Sequence, residues 1–349
     1  MHKNIDLINE FITTKRPKYL FGTNKYAKMI AEKIDVDGFI DDLTIEKEFL
    51  TKPIKKIYEI PKNSIILSCV VLAKPKFALK KIISHGFDAI DYFSFVKHSK
   101  LGLENVLFNA NQNFIKEHRE NSRYYKKLHS RLEDKKSKET LNDIIQFRLS
   151  LDMSYLSGYE YQPQKQYFED FIHFGPNEVF LDVGGFDGFT SKLFMEKCPD
   201  YKEIHVLEPD KKNLITIKDN LSKYEKVVIH DFGLSDSESD VRFNSLGPSS
   251  RISNKGESGI KVKPLDSIHF KNKITFVKMD IEGAESNAIK GATDTIKRFH
   301  PAIAVSVYHK VDDFRVIPNL ILGIRDDYKL FLRHYTEGVI ETVMYFVPN

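Results

Sequence analysis

The run Val179-Phe180-Leu181-Asp182-Val183-Gly184-Gly185-Phe186-Asp187-Gly188 constrains this chain more than any other. An apolar, β-rich stretch ends in an acid, and three glycines follow before helix-forming residues resume. That order is a strand, a tight turn and a helix, the repeating unit of a parallel α/β sheet. Open sheets of this kind bind ligands beyond the carboxyl ends of their strands, where the glycines lie.

The same alternation continues downstream. Strands are predicted at Glu178–Asp182, Glu203–Leu207, Lys226–His230, Ile274–Met279 and Ala302–Val307, then near Tyr328–Leu332 and Glu341–Val347. Helices are predicted at Thr190–Lys197, at Lys211–Leu221 and after Gly283. A Ser/Gly-rich loop spans Asn244–Gly259, and its Ser249, Ser250 and Arg251 read as a lid. Earlier in the chain, Tyr19–Phe21, Gly38–Ile40 and Ile65–Leu72 read as strands. Asn24 reads as a helix N-cap, and Pro75 opens a helix that stops at Gly86. Residues 97–165 are charged and helical in period. The expected organisation is a small Rossmann-like α/β domain (1–96), a helical connector (97–165) and a larger α/β domain (166–349).

Composition excludes several classes. With 53 basic and 49 acidic residues the net charge is +4, too even for a nucleic-acid partner. The two cysteines, Cys69 and Cys198, belong to no CxxC pair, so neither a disulfide framework nor a structural zinc site is expected. No apolar run approaches the ~20 residues of a membrane span, and no signal peptide is visible, so a cytoplasmic location is expected. Abundant Lys, Ile and Asn without Trp suit an AT-rich bacterial genome.

Two acids give the glycine loop its ligand preference. Asp182 stands at the strand end, where an acid disfavours a pyrophosphate and suits a cation. The dinucleotide fingerprint Gly-x-Gly-x-x-Gly fails, because Val183 occupies its first glycine position. That disfavours a nucleotide-cofactor oxidoreductase. S-adenosylmethionine (SAM) carries an ammonium and a sulfonium, and Asp182 can bind the amine or hold the loop in shape. Glu208 ends the next strand in Val206-Leu207-Glu208-Pro209, where a carboxylate can accept hydrogen bonds from both ribose hydroxyls. Asp231 ends the third strand and is placed to accept the adenine amino group. The expected cofactor residues are therefore Asp182, Gly184, Gly185, Gly188, Glu208 and Asp231.

The run Phe180–Gly185, the pair Glu208-Pro209 and, above all, Lys278-Met279-Asp280-Ile281-Glu282-Gly283-Ala284-Glu285 resemble the FkbM-type SAM-dependent methyltransferases. The resemblance spans about residues 165–349. It continues in Gly291-Ala292, His300-Pro301, Tyr308-His309-Lys310 and Leu332-Arg333-His334-Tyr335, and includes the lead-in Gln166-Tyr167-Phe168. It implies a class I methyltransferase-like α/β sheet of seven strands, with helices on both faces and the last strand antiparallel. It also implies methyl transfer to a hydroxyl, often on a sugar. Gly185 departs mildly from the pattern, since many members carry Ala there. The first domain, through Phe21-Gly22-Thr23-Asn24 and Gly38-Phe39-Ile40-Asp41-Asp42, resembles nucleotide-sugar-binding half-domains. With one glycine its phosphate motif is incomplete, and a structural or acceptor-presenting role stays open.

An attacking alcohol must lose its proton, so the acceptor side needs a base. Asp280 follows the fourth strand and His309 the fifth. His309 is the expected base because imidazole titrates near working pH, and Asp280 is expected to orient it or bind the acceptor. Glu282, Ser250, Arg333 and His334 are expected acceptor contacts, the last two for an anionic sugar. Glu285 is expected only to stabilise a helix end. A divalent metal on Asp280, Glu282 and His309 is disfavoured, because no spacing signature demands it. The expected function is SAM-dependent O-methylation of a sugar, a nucleotide-linked sugar or a surface-polysaccharide precursor. The alternative is a non-catalytic partner in a sugar-modification pathway. Homo-oligomerisation through the connector is also open.

Overall fold

Two sheets organise the chain, each in its own structural unit. The computed structural model describes residues 2–103, 108–244, 251–252 and 258–349. The first unit comprises residues 1–116, 141–162 and 334–341; the second comprises 117–140, 163–333 and 342–349. The helical stretch 97–165 contributes to both.

In the first unit the strands are β1 (Lys18–Phe21), β2 (Gly38–Ile40), β3 (Glu48–Phe49), β4 (Lys52–Lys55), β5 (Ile65–Ser68) and β6 (Asp88–Asp91), in the order β3-β4-β2-β1-β5-β6. All pairings are parallel except β3 with β4. The apolar run of β5 is buried throughout. Asn24 caps the helix Lys25–Ala31 as expected, accepting from the N–H groups of Tyr26 and Ala27. β6 escaped the sequence reading because Asp88-Ala89-Ile90-Asp91 looks like a turn. Its acids are in use: Asp88 pairs with Arg16 at 2.7 Å, and Asp91 caps the next helix through Ser94 N–H.

The second unit is built on β7 (Val179–Val183), β8 (Glu203–Leu207), β9 (Val227–His230), β14 (Phe276–Met279), β15 (Ala302–Ser306), β16 (Tyr328–His334) and β17 (Thr342–Pro348). Their order is β16-β17-β15-β14-β7-β8-β9. The five strands β9, β8, β7, β14 and β15 run parallel, and β17 pairs antiparallel with β15. This is the class I methyltransferase arrangement, with the last strand of the chain antiparallel. A small sheet inserted after β9 contains β10 (Gly233–Leu234), β11 (Ser239–Asn244), β12 (Arg251–Ile252) and β13 (Ser258–Lys263); β11 and β13 border the loop read over Asn244–Gly259, and β12 interrupts it.

The central strands of the second sheet are buried along their length and mostly apolar, as expected of parallel strands covered on both faces, with Asp182 and Lys278 as charged exceptions. Phe180 of β7 stacks on Phe276 of β14 at 5.1 Å and on Phe194 at 4.5 Å. Phe194 lies in the helix Phe189–Lys197, so this aromatic cluster ties the helix after the glycine loop to the sheet. The helix Asp313–Ile324 was not anticipated; its interior Pro318 argues against a helix when read from sequence. Cys69 and Cys198 are both buried free thiols. No helix among the described residues is long and apolar enough to cross a membrane.

Candidate active site

The glycine loop is pinned from three sides. Gly184 and Gly185 both donate to the Leu207 carbonyl, at 2.9 and 3.2 Å, so the loop folds back over β8. Gly184 has φ +86°, and a Cβ there would lie 2.0 Å from the Asp280 carbonyl oxygen. Only glycine allows β7 and β14 to release their chains this close together. A Cβ at Gly185 would lie 2.2 Å from Val206 Cγ1. Gly188, at φ +82°, forms the N-cap of Phe189–Lys197.

Asp182 is fully buried. Its carboxylate accepts from Ser191 Oγ at 2.8 Å and pairs with Lys278 Nζ at 3.1 Å. Lys278 stands directly opposite Asp182 in the β14–β7 register and donates to the Gly184 carbonyl at 2.6 Å. Burial pulls the Lys278 ammonium pKa down, but Asp182, followed by Asp280, outweighs it and the net shift is upward. Of the two roles open to Asp182, this geometry provides the second: it holds the loop in shape through Lys278. Sequence reading missed Lys278, although a lysine inside the apolar strand Phe-Val-Lys-Met signals a buried carboxylate partner.

Glu208 lies almost fully buried at the end of β8. It accepts from Phe186 N–H at 3.0 Å and from Asp210 N–H at 2.9 Å, and burial raises its pKa despite those donors. Asp231 follows β9 and is exposed. The loop, Glu208 and Asp231 thus follow three adjacent strands, β7, β8 and β9.

A second cluster adjoins this loop through the Gly184–Asp280 contact. Asp280 accepts from Tyr167 Oη at 2.7 Å, and Tyr308 Oη lies 3.4 Å from its other oxygen. His309 Nε2 is 3.4 Å from Asp280 Oδ1 and 3.8 Å from Glu282 Oε2. Its Nδ1 is 2.9 Å from Glu285 Oε1. Asp280, Glu282 and His309 therefore converge, as expected from neighbouring strand ends.

Two corrections follow. Glu285 does far more than stabilise a helix end. It is 1% exposed, accepts from Ile281 N–H at 2.9 Å, and holds the imidazole. His309 does not titrate near working pH. Burial lowers its pKa, but Glu285 first, then Asp280 and Glu282, overcome that and raise it to about 10.

Tyr167 was quoted only as part of a motif, yet its hydroxyl donates to Asp280 at 2.7 Å. Its backbone sits at φ +72°, its N–H donates to Tyr345 Oη at 3.0 Å, and Gln166 Nε2 donates to its hydroxyl at 2.9 Å. A bulky residue held at positive φ is strained, so these contacts must over-determine its position.

Arg333 and His334 do not join the cluster. Arg333 is 5% exposed and pairs with Asp134 at 2.6 Å and Glu169 at 3.4 Å, with Ser137 Oγ at 2.8 Å. His334 belongs to the first unit, where its Nε2 lies 3.0 Å from the Gly338 carbonyl and its ring meets Tyr159 edge-on. Internal contacts, not an anionic acceptor, account for both. Ser250 lies outside the described residues.

The second sheet has the strand order of class I methyltransferases. Residues 182–333 match the methyltransferase FkbM domain family. The crystal structure of methyltransferase FkbM from Methylobacillus flagellatus KT superposes with a TM-score of 0.76 at 23% identity, covering 98% of this chain and 92% of that one. That likeness speaks for the fold. Precorrin-6y C5,15-methyltransferase from Geobacter metallireducens GS-15 (TM-score 0.32, 14% identity, 50% of this chain and 82% of that one) and an rRNA methylase from Streptococcus thermophilus (0.34, 9%, 58% and 96%) are more distant, and no argument rests on them. A search of curated proteins finds no match. Residues 182–333 are thus similar to the FkbM-type methyltransferase domain.

Proposed function

We propose that the enzyme methylates a hydroxyl group of a sugar, either free, nucleotide-linked or within a surface-polysaccharide precursor. One observation carries this reading: the glycine loop of the cofactor site touches the Asp280 backbone, and the Asp280 side chain faces His309. The proton-handling groups thus stand at the edge of the cofactor site.

The residues fit SAM. The loop leaves no room for a Cβ at Gly184, so backbone forms its wall, and the buried Glu208 carboxylate retains acceptor capacity for a cis-diol. Gly184, Gly185, Gly188, Glu208 and Asp231 would hold the cofactor, with Asp182 supporting the loop through Lys278. When bound, SAM supplies an electrophilic methyl group.

Asp280 is the group placed to take the hydroxyl proton, because His309 already carries one. Tyr167 and Glu285 fix the carboxylate and the imidazole, so the acceptor oxygen meets them pre-aligned. Imidazolium beside the developing negative oxygen lowers the barrier further. Glu282, partly exposed at the rim, is positioned to accept from a neighbouring sugar hydroxyl. Near-neutral composition and the absence of a basic excess favour a small polar acceptor over nucleic acid.

The test is a panel of free sugars, nucleotide sugars and capsule or lipopolysaccharide fragments incubated with methyl-labelled SAM. Label recovered as a methyl ether supports the reading. Label only on amine or carbon acceptors overturns it. SAM binding without transfer to any acceptor favours the non-catalytic partner.

A further inference from the structure

We propose that the Phe186 side chain is the wall against which the sulfonium of SAM binds, so that the site prefers the charged cofactor to its neutral, demethylated product. The proposal deepens the SAM-binding part of the reading above and rests on it; it does not depend on the acceptor being a sugar.

Phe186 is held in its place at a cost. Its φ is +49°, in the left-handed region that bulky side chains rarely adopt. Glycine adopts that region freely, and glycines stand around it at positions 184, 185 and 188. Phe186 is also 38% exposed, and within residues 184–188 it is the exposed one. A glycine at 186 would spare both the strain and the wetted ring. The bond that anchors the residue, from its N–H to Glu208 Oε2 at 3.0 Å, is made by backbone and asks nothing of the ring. Strain retained at such a loop, with an apolar ring turned to solvent, points to use of the side chain.

The sheet order fixes what that use can be. Asp280 follows β14, the glycine loop follows β7 and Glu208 follows β8, and β7 lies between the other two strands. Gly184 abuts the Asp280 carbonyl, and Phe186 bonds Glu208. Residues 184–186 therefore span from the acceptor cluster to the carboxylate assigned to the ribose. In SAM the sulfur joins the ribose to the methyl group. A cofactor whose ribose meets Glu208 and whose methyl group faces Asp280 has its sulfur over this span. Gly185 turns inward, where a Cβ would meet Val206 and Ile217, so Phe186 supplies the exposed side chain there.

A sulfonium has no N–H or O–H to donate, so a carboxylate cannot hydrogen-bond it. An aromatic face suits it, because the ring attracts a cation within about 6 Å of its centre. Transfer moves the methyl group to the acceptor oxygen and leaves the electron pair of the broken bond on sulfur. The sulfur is then a neutral thioether, and the attraction to the ring is lost. The ring thus holds the cofactor more tightly than the product and eases product release.

The test measures SAM and S-adenosylhomocysteine affinities by calorimetry on the full chain and its variants. Phe186→Leu keeps apolar bulk and the backbone bond to Glu208 but removes the aromatic face. It should lower the preference for SAM over the product about 5–30-fold while leaving product affinity within about threefold. Phe186→Met carries the same expectation and serves if the leucine variant does not fold. Phe186→Tyr restores the face and should keep the preference within about twofold of the parent. A leucine variant with the parent's preference, or a tyrosine variant that loses it, overturns the proposal. Equal loss of affinity for both ligands shows a packing role and overturns it as well. A raised acceptor KM with unchanged preference makes the ring an acceptor contact, which also overturns it. A parent chain that binds neither ligand fails the SAM reading itself, and the proposal with it.

Discussion

Replacing Gly185 by Ala tests how tightly the glycine loop is packed in this chain. The backbone permits it: Gly185 is not at positive φ. Packing does not. The new Cβ would lie 2.2 Å from Val206 Cγ1, where about 3.8 Å is comfortable, so about 1.6 Å must be absorbed. Ile217 Cδ1, at 3.3 Å, is a flexible tip and yields easily. Overpacking of this kind costs about 1–3 kcal/mol. Val206→Ala alone removes two buried methyl groups, about 1.6 kcal/mol in transfer and about 2 with the cavity. In the double variant the loop methyl fills the space vacated on β8. Val206 Cβ then sits 3.8 Å from the new Cβ, an ordinary contact. The pair should cost about 2 kcal/mol less than the sum of the singles, within the range for touching residues. Urea unfolding, followed through the transition that SAM shifts upward, measures the cycle in the second unit. SAM affinity should fall in Gly185→Ala and recover in the double variant. Costs that add within about 0.5 kcal/mol would refute the packing argument.

Other consequences are as direct. Lys278→Met should destabilise the second unit by about 3–5 kcal/mol by leaving Asp182 buried and unpaired, whereas Lys278→Met with Asp182→Leu should recover most of it; a Tm difference of under 2 °C for the single variant contradicts the loop-support role. Tyr167→Phe should leave SAM affinity within about twofold and lower kcat more than it raises the acceptor KM, since it frees Asp280 without touching the cofactor loop; equal kcat speaks against positioning. Stability should also fall as pH drops from 7 to 5. Burial holds His230 at about 4 and His334 at about 3 in the folded chain, below the ordinary 6.5, so below about pH 6.5 the unfolded chain binds protons that the folded chain resists. Unchanged thermal stability between pH 7 and 5 counts against those buried neutral rings.

What was legible in the sequence depended on how local each signal is. The Asp182 loop and Glu208 are contiguous with their strands, so residue order alone locates them. Strand and helix limits at Glu203–Leu207 and Lys211–Leu221 agree to the residue. Asp280 and His309 were singled out because acids and histidines at strand ends are conspicuous, but their environment was not legible. Glu285 looked like a helix-end acid because nothing in its neighbourhood along the chain shows that its side chain turns back to His309. Arg333 misled for the opposite reason. Its partner Asp134 is 199 residues away, so an internal ion pair looked like a surface charge awaiting a ligand. Patterning reports which residues are apolar; it does not report which distant carboxylate neutralises a buried cation.

The measurement that bears most directly on the central claim is a paired assay of Asp280→Asn: SAM affinity by calorimetry, and methyl-ether formation with the best acceptor from the panel. SAM affinity within about threefold of the parent, with methyl transfer reduced at least about 100-fold, is the predicted result. Transfer at the parent rate would contradict the account, because the cluster beside the cofactor loop would then not be where the hydroxyl is activated.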